Sequence, residues 1–444
     1  MTRATRETGS HDDAAGFLRQ PSRRTDALVL LLGTCLGSAL LLARRPSRVI
    51  DIAWAEDGAL FLQNAAARGV SGVFDTYAGY YHLVPRTIAL VITAVVPVEW
   101  WAVATSVAAA MVAAACIAVI IAVAMRVVRS RLIIACLWWA LIALPVAGGE
   151  VVLSVANLHW YFIFAAFWCA AVPVRERRIN ALASLVVFVA ILSDPLTALL
   201  TWPALLARVV ARPWRESRWM LIAATVATVI QGAASIASFS QRTMATAHPG
   251  LSAHVHELGL RVVLAELVGV TAATWLAANL AHILVLVAVG AVAGVALGAY
   301  LAPAQRWRAV AFLGAAVGIN AVMYALQGQF IGSNAWTNFI GGDRYAVTPA
   351  ALFISALAFA ADGIARGGRR RGAVALVAFS IIAVAPGIRD FNWGDERTQT
   401  PRWSDSIREA RAQCADGGDR VLIPIAPASW SADLSCAIVG GPAP

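Results

Sequence analysis

Apolar runs of about 15 to 27 residues recur between residues 27 and 388, and short polar segments separate them. A run of this length forms a helix that can cross a lipid bilayer, because a helix satisfies its backbone hydrogen bonds internally. The pattern predicts an all-α polytopic membrane protein with about eleven transmembrane helices within residues 27–388. Polar segments at residues 1–26 and 389–444 flank this region.

The polar segments between the runs alternate in charge. Every second segment is rich in arginine, whereas the others carry carboxylates next to the apolar runs. Arginine-rich loops remain in the cytoplasm, so we predict a multi-pass protein of the cell membrane with a cytoplasmic N-terminus and an extracytoplasmic C-terminus. The carboxylates then lie at the outer face: Glu56, Asp57, Glu150, Asp194, Glu257 and Asp343.

The composition supports a membrane protein and argues against a nucleic-acid partner. Hydrophobic residues make up 60% of the chain and charged residues 14%, whereas a soluble domain has about 25% charged residues. All 35 basic residues are arginine and the net charge is +10. We interpret most of these arginines as cytoplasmic anchors at the bilayer surface. A phosphate at the outer face would have to be bound by arginine.

The first outer segment, residues 44–86, contains two adjacent carboxylates, Glu56 and Asp57. Adjacent carboxylates repel each other, which raises one pKa towards the range of a general base. Two alternatives remain: the pair binds a divalent cation such as Mg²⁺ or Mn²⁺, or it forms a solvated turn. The flanking aromatic residues favour short helices on the membrane surface. They are Trp54, Phe61, Phe74, Tyr77, Tyr80 and Tyr81.

Other polar residues at the outer ends of the predicted spans are candidates for substrate binding. They are Asp343, Arg344, Tyr345, Arg86, His82, Asn157, His159, Glu150 and Asp194. Arginine binds phosphate through a planar fork, so Arg344 and Arg86 are the candidate phosphate ligands. For every member of this set the alternative is a structural role, as an interfacial ion pair, an anchor or an interhelical hydrogen bond.

The C-terminal segment, residues 389–444, contains the two cysteines that lie outside the apolar runs, Cys414 and Cys436. Disulfides form outside the cytoplasm, so we predict a Cys414–Cys436 bridge in a small extracytoplasmic segment. Residues 420–425 have the pattern of a strand.

These motifs together resemble the GT-C superfamily of membrane glycosyltransferases. The sequence WAEDG at residues 54–58 matches the acidic motif of a long first outer loop in type and place. The PR of residues 85–86 and the GDRY of residues 342–345 are similar to polar features at the rim of the active site. The small C-terminal segment differs from the large soluble domain of oligosaccharyltransferases.

The resemblance implies transfer of a sugar from a polyprenyl-phosphate donor to a glycan or lipid acceptor of the cell envelope, at the outer face. In that chemistry Asp57 is the general base, and Glu56 orients it or shares a metal ion. Arg344 and Arg86 stabilise the departing phosphate. The resemblance implies no definite cofactor, and a divalent cation, Mg²⁺ or Mn²⁺, stays an open alternative.

Two other functions are compatible with the sequence. A transporter or flippase for a lipid-linked or anionic solute would need charged residues deep within the spans, and the pattern places most charges at their ends. A non-catalytic membrane scaffold would use the C-terminal segment to bind a partner. Convergence of Asp57, Arg344 and His159 on one site would favour the enzyme.

Overall fold

The computed structural model describes residues 22–211, 217–241, 250–280, 284–332, 344–392 and 396–440, and these ranges are largely helical. Asp343, one of the predicted site residues, lies outside them. The helices up to residue 211 are α1 (Arg23–Ala43), α2 (Ser47–Ile50), α3 (Gln63–Arg68), α4 (Leu83–Val95), α5 (Trp101–Ala124), α6 (Arg131–Ile142), α7 (Leu158–Ala171), α8 (Arg177–Ser193) and α9 (Leu196–Ala211).

The remaining helices are α10 (Arg218–Ala237), α11 (Leu251–Glu257), α12 (Ala265–Val268), α13 (Val270–Leu280), α14 (Leu284–Tyr300), α15 (Arg306–Gly332), α16 (Arg344–Ala365), α17 (Arg369–Arg389), α18 (Trp403–Ala415) and α19 (Cys436–Gly440).

Six helical stretches in the described ranges are long and apolar enough to cross a membrane. They are Arg24–Ala43, Val98–Ala124, Arg218–Ala237, Arg306–Leu326, Arg344–Ala365 and Arg369–Arg389. Several shorter apolar helices accompany them, including α7 and α9. The predicted helical protein is therefore confirmed, and several of its helices have the length and composition of membrane spans. The count of eleven spans stays a prediction.

Small residues allow the first helices to pack closely. A side chain at Gly37 of α1 would come within 2.9 Å of Ile142 and 3.0 Å of Ala114. One turn earlier, a side chain at Gly33 would come within 3.3 Å of Ala118. Small residues let helix backbones approach each other in a membrane, where dispersion contacts replace the hydrophobic effect between helices. Glycine at these two positions therefore brings α1 against α5 and α6.

Short elements fill the segment between α1 and α5. A π-helical turn, Asp57–Leu62, leads into α3. A 3₁₀-helix, Gly69–Phe74, and an antiparallel hairpin of β1 (Thr76–Tyr77) and β2 (Tyr80–Tyr81) then lead to α4. With 13 residues, α4 is about 20 Å long, shorter than a hydrocarbon core of about 30 Å. The short helices of this segment agree with the sequence prediction. Their location on a membrane surface stays a prediction.

Residues 148–157 differ from the sequence prediction. The apolar pattern predicts one span over residues 151–172, but the helix α7 begins only at Leu158. The preceding residues form irregular turns, and Leu153 has a φ of 67°. These turns remain buried because a distant carboxylate, described below, accepts their backbone N–H groups.

The C-terminal segment consists of α18, the hairpin of β3 (Arg420–Ile425) and β4 (Trp430–Ser435), and α19. The strand β3 coincides with the predicted one. A disulfide joins Cys414 to Cys436, as the sequence predicts.

This C-terminal segment packs on the first loop. The Trp403 backbone N–H donates to the Asp51 carbonyl (2.7 Å), and its indole donates to the Val98 carbonyl (2.7 Å). The Asp433 N–H donates to Gln63 Oε1 (2.9 Å). We call this end of the bundle, formed by residues 44–86, 143–157 and 396–440, the loop end.

The opposite end is held by ionic contacts between helix termini. Arg126 donates to Asp26 (2.8 Å) and Glu176 (2.7 Å), which joins the start of α1 to the end of α5 and the start of α8. Asp362, near the end of α16, accepts the backbone N–H groups of Arg129 (2.9 Å) and Ser130 (3.2 Å). We call this end the arginine end.

Candidate functional site

Asp57 lies at the centre of the loop end and is 1% exposed. Its carboxylate accepts hydrogen bonds from the Ala156 N–H (2.7 Å), the Val155 N–H (3.2 Å) and the Ser154 hydroxyl (3.3 Å). The two N–H groups are donors that the irregular turn before α7 leaves without helical partners. Asp57 thus accepts the hydrogen bonds that the carbonyls of a preceding helical turn would accept, and it fixes the start of α7.

Burial dominates the electrostatics of Asp57. It raises the pKa of this carboxyl to about 7, although the hydrogen bond from Ala156 and the nearby positive charge of Arg397 act in the opposite direction. Burial favours the neutral form of an acid, whereas donated hydrogen bonds favour its anion. The carboxyl of Asp57 is therefore poised to gain or lose a proton near neutral pH.

Glu56 differs from its neighbour because it is partly exposed. Its charge contributes to raising the pKa of Tyr77, for which burial is the larger cause, and it also acts on Arg344. The resemblance to GT-C enzymes assigns the chemistry to Asp57 and a supporting role to Glu56. The geometry favours the reverse, because Asp57 is enclosed and Glu56 is accessible.

Arg344, the first residue of α16, forms an ion pair with Glu150 through Nη1 and Oε2 (3.2 Å). Its guanidinium also lies 5.1 Å from the centre of the Tyr345 ring. The contact between residues 150 and 344 brings two predicted binding residues together across the site. Arg344 is partly exposed, so a ligand can reach its guanidinium.

His159 and Asp194 are two further ionisable side chains that face each other in the site. His159 Nδ1 lies 2.7 Å from the Ala156 carbonyl, and Nε2 lies 3.7 Å from Asp194 Oδ2. A carbonyl only accepts hydrogen bonds, so Nδ1 carries a hydrogen and the neutral ring turns a lone pair towards Asp194. Burial raises the pKa of Asp194 to about 7. A protonated Asp194 carboxyl would therefore face the acceptor Nε2 of His159, at a separation slightly longer than a hydrogen bond.

Asn157 has a structural position. Its amide donates to the Glu150 carbonyl (3.1 Å) and the Ser154 hydroxyl (3.2 Å), and its carbonyl accepts from the Trp160 indole (3.2 Å). It thereby closes the turn that carries Glu150, which is a predicted binding residue, and Ser154, which the sequence does not single out.

His82 lies in an aromatic cluster on the other side of the site. The Tyr80 ring stacks on it at 4.2 Å, with Tyr77 at 5.5 Å and Phe61 at 5.7 Å. Burial, aided by His159, holds the pKa of His82 well below its ordinary value. Burial, aided by the charge of Asp194, raises the pKa of Tyr80 well above its ordinary value. Both side chains are neutral at neutral pH.

Arg86 is turned towards the protein rather than towards the site. It is buried, donates Nη1 to the Gly72 carbonyl (2.9 Å) and lies 5.5 Å from the centre of the Phe61 ring. These contacts hold the 3₁₀-helix against α4. The geometry therefore favours a structural role over the predicted phosphate contact.

Arg397 is a residue that sequence reasoning missed. It is fully buried, donates to the carbonyls of Glu150 (3.2 Å) and Val152 (3.1 Å), and lies 5.0 Å from the centre of the Trp54 ring. It therefore joins the C-terminal segment to the turn that Asp57 holds. A lone arginine in a polar segment gives no signal of such contacts in the sequence.

Metal binding at the acidic pair would require ligands from elsewhere. Within the described residues, no group of three or more His, Cys, Asp or Glu side chains is arranged to hold a metal ion. Mg²⁺ and Mn²⁺ prefer several oxygen ligands. Glu56 and Asp57 would therefore bind such an ion only with oxygen atoms of a substrate or water.

No family model, curated protein or solved structure matches this chain. The geometry of the loop end and the short sequence motifs are therefore the basis of the functional proposal. What the geometry defines is a buried polar site between a short-helix loop and the ends of α7, α8 and α16. It combines an accessible carboxylate, an arginine and the His159–Asp194 pair.

Proposed function

We propose that the protein is a GT-C-type membrane glycosyltransferase that acts at the loop end. It transfers a sugar from a polyprenyl-phosphate donor to a glycan or lipid acceptor of the cell envelope. The observation that carries the proposal is the clustering of Glu56, Arg344 and the His159–Asp194 pair around residues 150–159. Acid–base groups beside an arginine suit a transfer with an anionic leaving group.

In this mechanism the acceptor hydroxyl attacks the anomeric carbon of the donor sugar. A new carbon–oxygen bond forms there as the bond to the phosphate oxygen breaks. Glu56 accepts the proton of the hydroxyl, and the negative charge moves onto the leaving polyprenyl phosphate. Arg344 stabilises that charge, for which it exchanges its contact with Glu150 for the phosphate. Asp57 keeps the turn before α7 in place.

The first test compares the two adjacent carboxylates. Glu56→Gln should lower transfer by about 10² to 10⁴, the usual contribution of a general base, with unchanged thermal stability. The assay is transfer from a polyprenyl-phosphate sugar in liposomes, with donor binding measured separately. Glu99→Gln is the matched control, because Glu99 pairs with Arg411 at the same end of the bundle but outside this cluster.

Three outcomes of this comparison differ in meaning. Wild-type transfer by Glu56→Gln would overturn the assignment of Glu56. If a well-folded Asp57→Asn protein then lost transfer, the chemistry would return to Asp57. Joint loss of a metal-dependent activity in both variants would indicate a shared cation.

The second test concerns Arg344. Lysine offers a point charge instead of a planar fork, so Arg344→Lys should lose transfer and donor affinity by about tenfold or more. Arg68→Lys is the matched control, because Arg68 forms an exposed ion pair with Asp75 (2.8 Å). Unchanged donor affinity in Arg344→Lys would reduce this residue to an interfacial anchor.

The topology proposed with this function has eleven spans, a cytoplasmic N-terminus and an extracytoplasmic C-terminus. It is supported by the contacts that join residues 44–86, 143–157 and 396–440 at one end, and by those that join Asp26, Arg126 and Glu176 at the other. Reporter fusions after residues 131, 178 and 218 should be cytoplasmic, and a fusion after residue 388 should be extracytoplasmic. A cytoplasmic C-terminal fusion would contradict this orientation.

A transporter or flippase is the second candidate, and one observation favours it. Glu257 and Arg261 are buried at the π-helical turn Leu258–Leu264, and buried charges in membrane proteins often mark transport pathways. Translocation of a lipid-linked sugar in liposomes without acceptor, abolished by Glu257→Gln, would favour transport. Transfer activity that survives Glu257→Gln would favour the enzyme.

A further inference from the structure

A groove that could hold a ligand lies far from the candidate site. A groove of about 750 Å³ runs between α9 and α15 at the arginine end, with α7 as its floor. Phe167 and Phe312 form the floor and meet edge to face at 5.0 Å. Small side chains, including Pro203, Ala207 and Ala311, line the walls. Small-molecule sites occupy about 300 to 1,000 Å³, so the groove can hold a ligand.

The charge of the groove is one-sided. Among its lining residues, all of them in the described part of the chain, two are cationic, Arg208 and Arg308, and none is acidic. Arg208 is 5% exposed and donates to the Cys169 carbonyl (3.3 Å) and the Asn180 amide oxygen (3.5 Å), which fixes its position. The groove therefore combines an apolar channel with fixed positive charge.

The groove is distinct from the candidate site. Arg208 lies about 18 Å along α9 from Leu196, the residue whose N–H donates to Asp194. Trp307 lies at the opening of the groove and is 73% exposed. An exposed tryptophan beside arginines is typical of the level of lipid headgroups.

We propose that this groove binds an anionic phospholipid. The acyl chains occupy the channel between Phe167, Phe312 and the small wall residues, and the phosphate lies against Arg208 and Arg308. Two features of the groove select this ligand: its walls are mostly apolar, and its charged residues are positive. A zwitterionic lipid would add a cation beside these arginines and should bind more weakly. Such a lipid site is independent of the proposed transfer reaction.

Two glycines of α15 give a matched pair of variants. Gly314 lines the groove, and Gly318 lies one turn further along without lining it. An added Cβ meets nothing within 4 Å at either position. Gly314→Phe therefore introduces a large side chain at a groove-lining position with room for its Cβ, and Gly318→Phe adds the same side chain to the same helix outside the groove.

The experiment measures lipid retained by the full-length protein in phosphatidylglycerol or phosphatidylcholine nanodiscs, by native mass spectrometry after mild extraction. The wild-type protein and Gly318→Phe should retain phosphatidylglycerol in preference to phosphatidylcholine. Gly314→Phe should retain about tenfold less phosphatidylglycerol. Arg308→Gln should remove most of the preference for phosphatidylglycerol over phosphatidylcholine, although the acyl chains of both lipids should still bind. A photoreactive acyl phosphatidylglycerol should label α9 and α15.

Either of two results would overturn the phospholipid site: equal retention of phosphatidylglycerol by Gly314→Phe and Gly318→Phe, or equal retention of the two lipids by the wild-type protein. Retention of added polyprenyl phosphate in place of phosphatidylglycerol would also overturn the phospholipid assignment. If Gly314→Phe does not fold, the lipid preference of Arg308→Gln and the labelled peptides decide the question.

Discussion

Two buried aspartates at opposite ends of the bundle both accept backbone hydrogen bonds just before a helix, but they differ in their other partners. Asp57 at the loop end accepts the N–H groups of Val155 and Ala156, just before α7. Asp362 at the arginine end accepts the N–H groups of Arg129 and Ser130, just before α6. Both are 1% exposed. Each carboxylate thus satisfies backbone donors that a helix start leaves unpaired.

The two aspartates differ in their remaining partners. Asp362 also forms an ion pair with Arg366 and accepts a hydrogen bond from Gln305 Nε2 (2.9 Å). Within the described ranges, the further hydrogen-bond donor to Asp57 is the neutral hydroxyl of Ser154. The arginine end therefore holds the helices in place, whereas the loop end keeps a carboxyl that can change its protonation state.

The largest effect on stability should come from breaking the ion pair at the arginine end. Removing one partner of a buried pair costs about 3 to 5 kcal/mol, so Asp362→Ala should destabilise the protein by that amount in denaturant unfolding in detergent. Asp405→Ala is the control, because Asp405 forms an exposed pair with Arg408 (3.1 Å) worth at most about 1 kcal/mol. Equal losses in the two variants would contradict a special role for Asp362.

Removing the disulfide should lower the local stability of the loop end alone. The Cys414–Cys436 bridge closes a loop with a sequence separation of 22, which corresponds to about 3 kcal/mol in the chain-entropy estimate. The Cys414→Ser and Cys436→Ser double variant should therefore show faster amide hydrogen exchange in residues 396–440. Exchange in α16 near Asp362 should not change. Faster exchange at both ends would show that the two ends are not independent.

A smaller effect should follow from changing Asp57 itself. The amide of asparagine replaces one acceptor oxygen with an N–H donor, which would face donors of the turn before α7. A buried group left unsatisfied costs about 1 to 3 kcal/mol, so Asp57→Asn should lower the unfolding temperature. Ser154→Ala, which removes only one donor, should cost less. Wild-type stability in Asp57→Asn would contradict its structural role.

The same end of the bundle should also give the protein a pH-dependent stability. Burial raises the pKa of Asp57 and Asp194 from 3.8 to about 7, so the folded protein holds protons that the unfolded chain releases from about pH 4 upward. The stability that these two carboxyls contribute is complete below about pH 4. It is lost as the pH rises towards 7.

Asp194→Asn tests this pH dependence. Asparagine can still accept the hydrogen bond from the Leu196 N–H, so the turn is kept while the titration is removed. Unfolding temperatures between pH 4 and pH 8 should fall less steeply in this variant. An unchanged slope would place the titration elsewhere.

The features that the sequence predicts correctly follow from a local residue pattern or, for the disulfide, from excluding the cysteines within apolar runs. The apolar periodicity predicts the helices, and β3 coincides with the predicted strand. Cys414 and Cys436 pair in the prediction because the other cysteines lie in apolar runs. The ion pair of Glu150 with Arg344 is consistent with the alternation of charge, which places both residues at one end.

The features that the sequence could not predict depend on distant partners. Residues 151–157 have a helical pattern, but Asp57, about 100 residues earlier, supplies their hydrogen bonds. Arg397 acts through backbone carbonyls, which leave no trace in residue types. Arg86 follows a proline, and only the structure shows that it donates to the Gly72 carbonyl.

The packing of the C-terminal segment on the first loop constrains biogenesis. Residues 51, 63 and 98 leave the ribosome about 305 to 370 residues before their partners in residues 403–433. Contacts of such high sequence separation form late in folding. The loop end therefore cannot close until the C-terminal segment has been made, so the site stays unfinished while the preceding helices are synthesised.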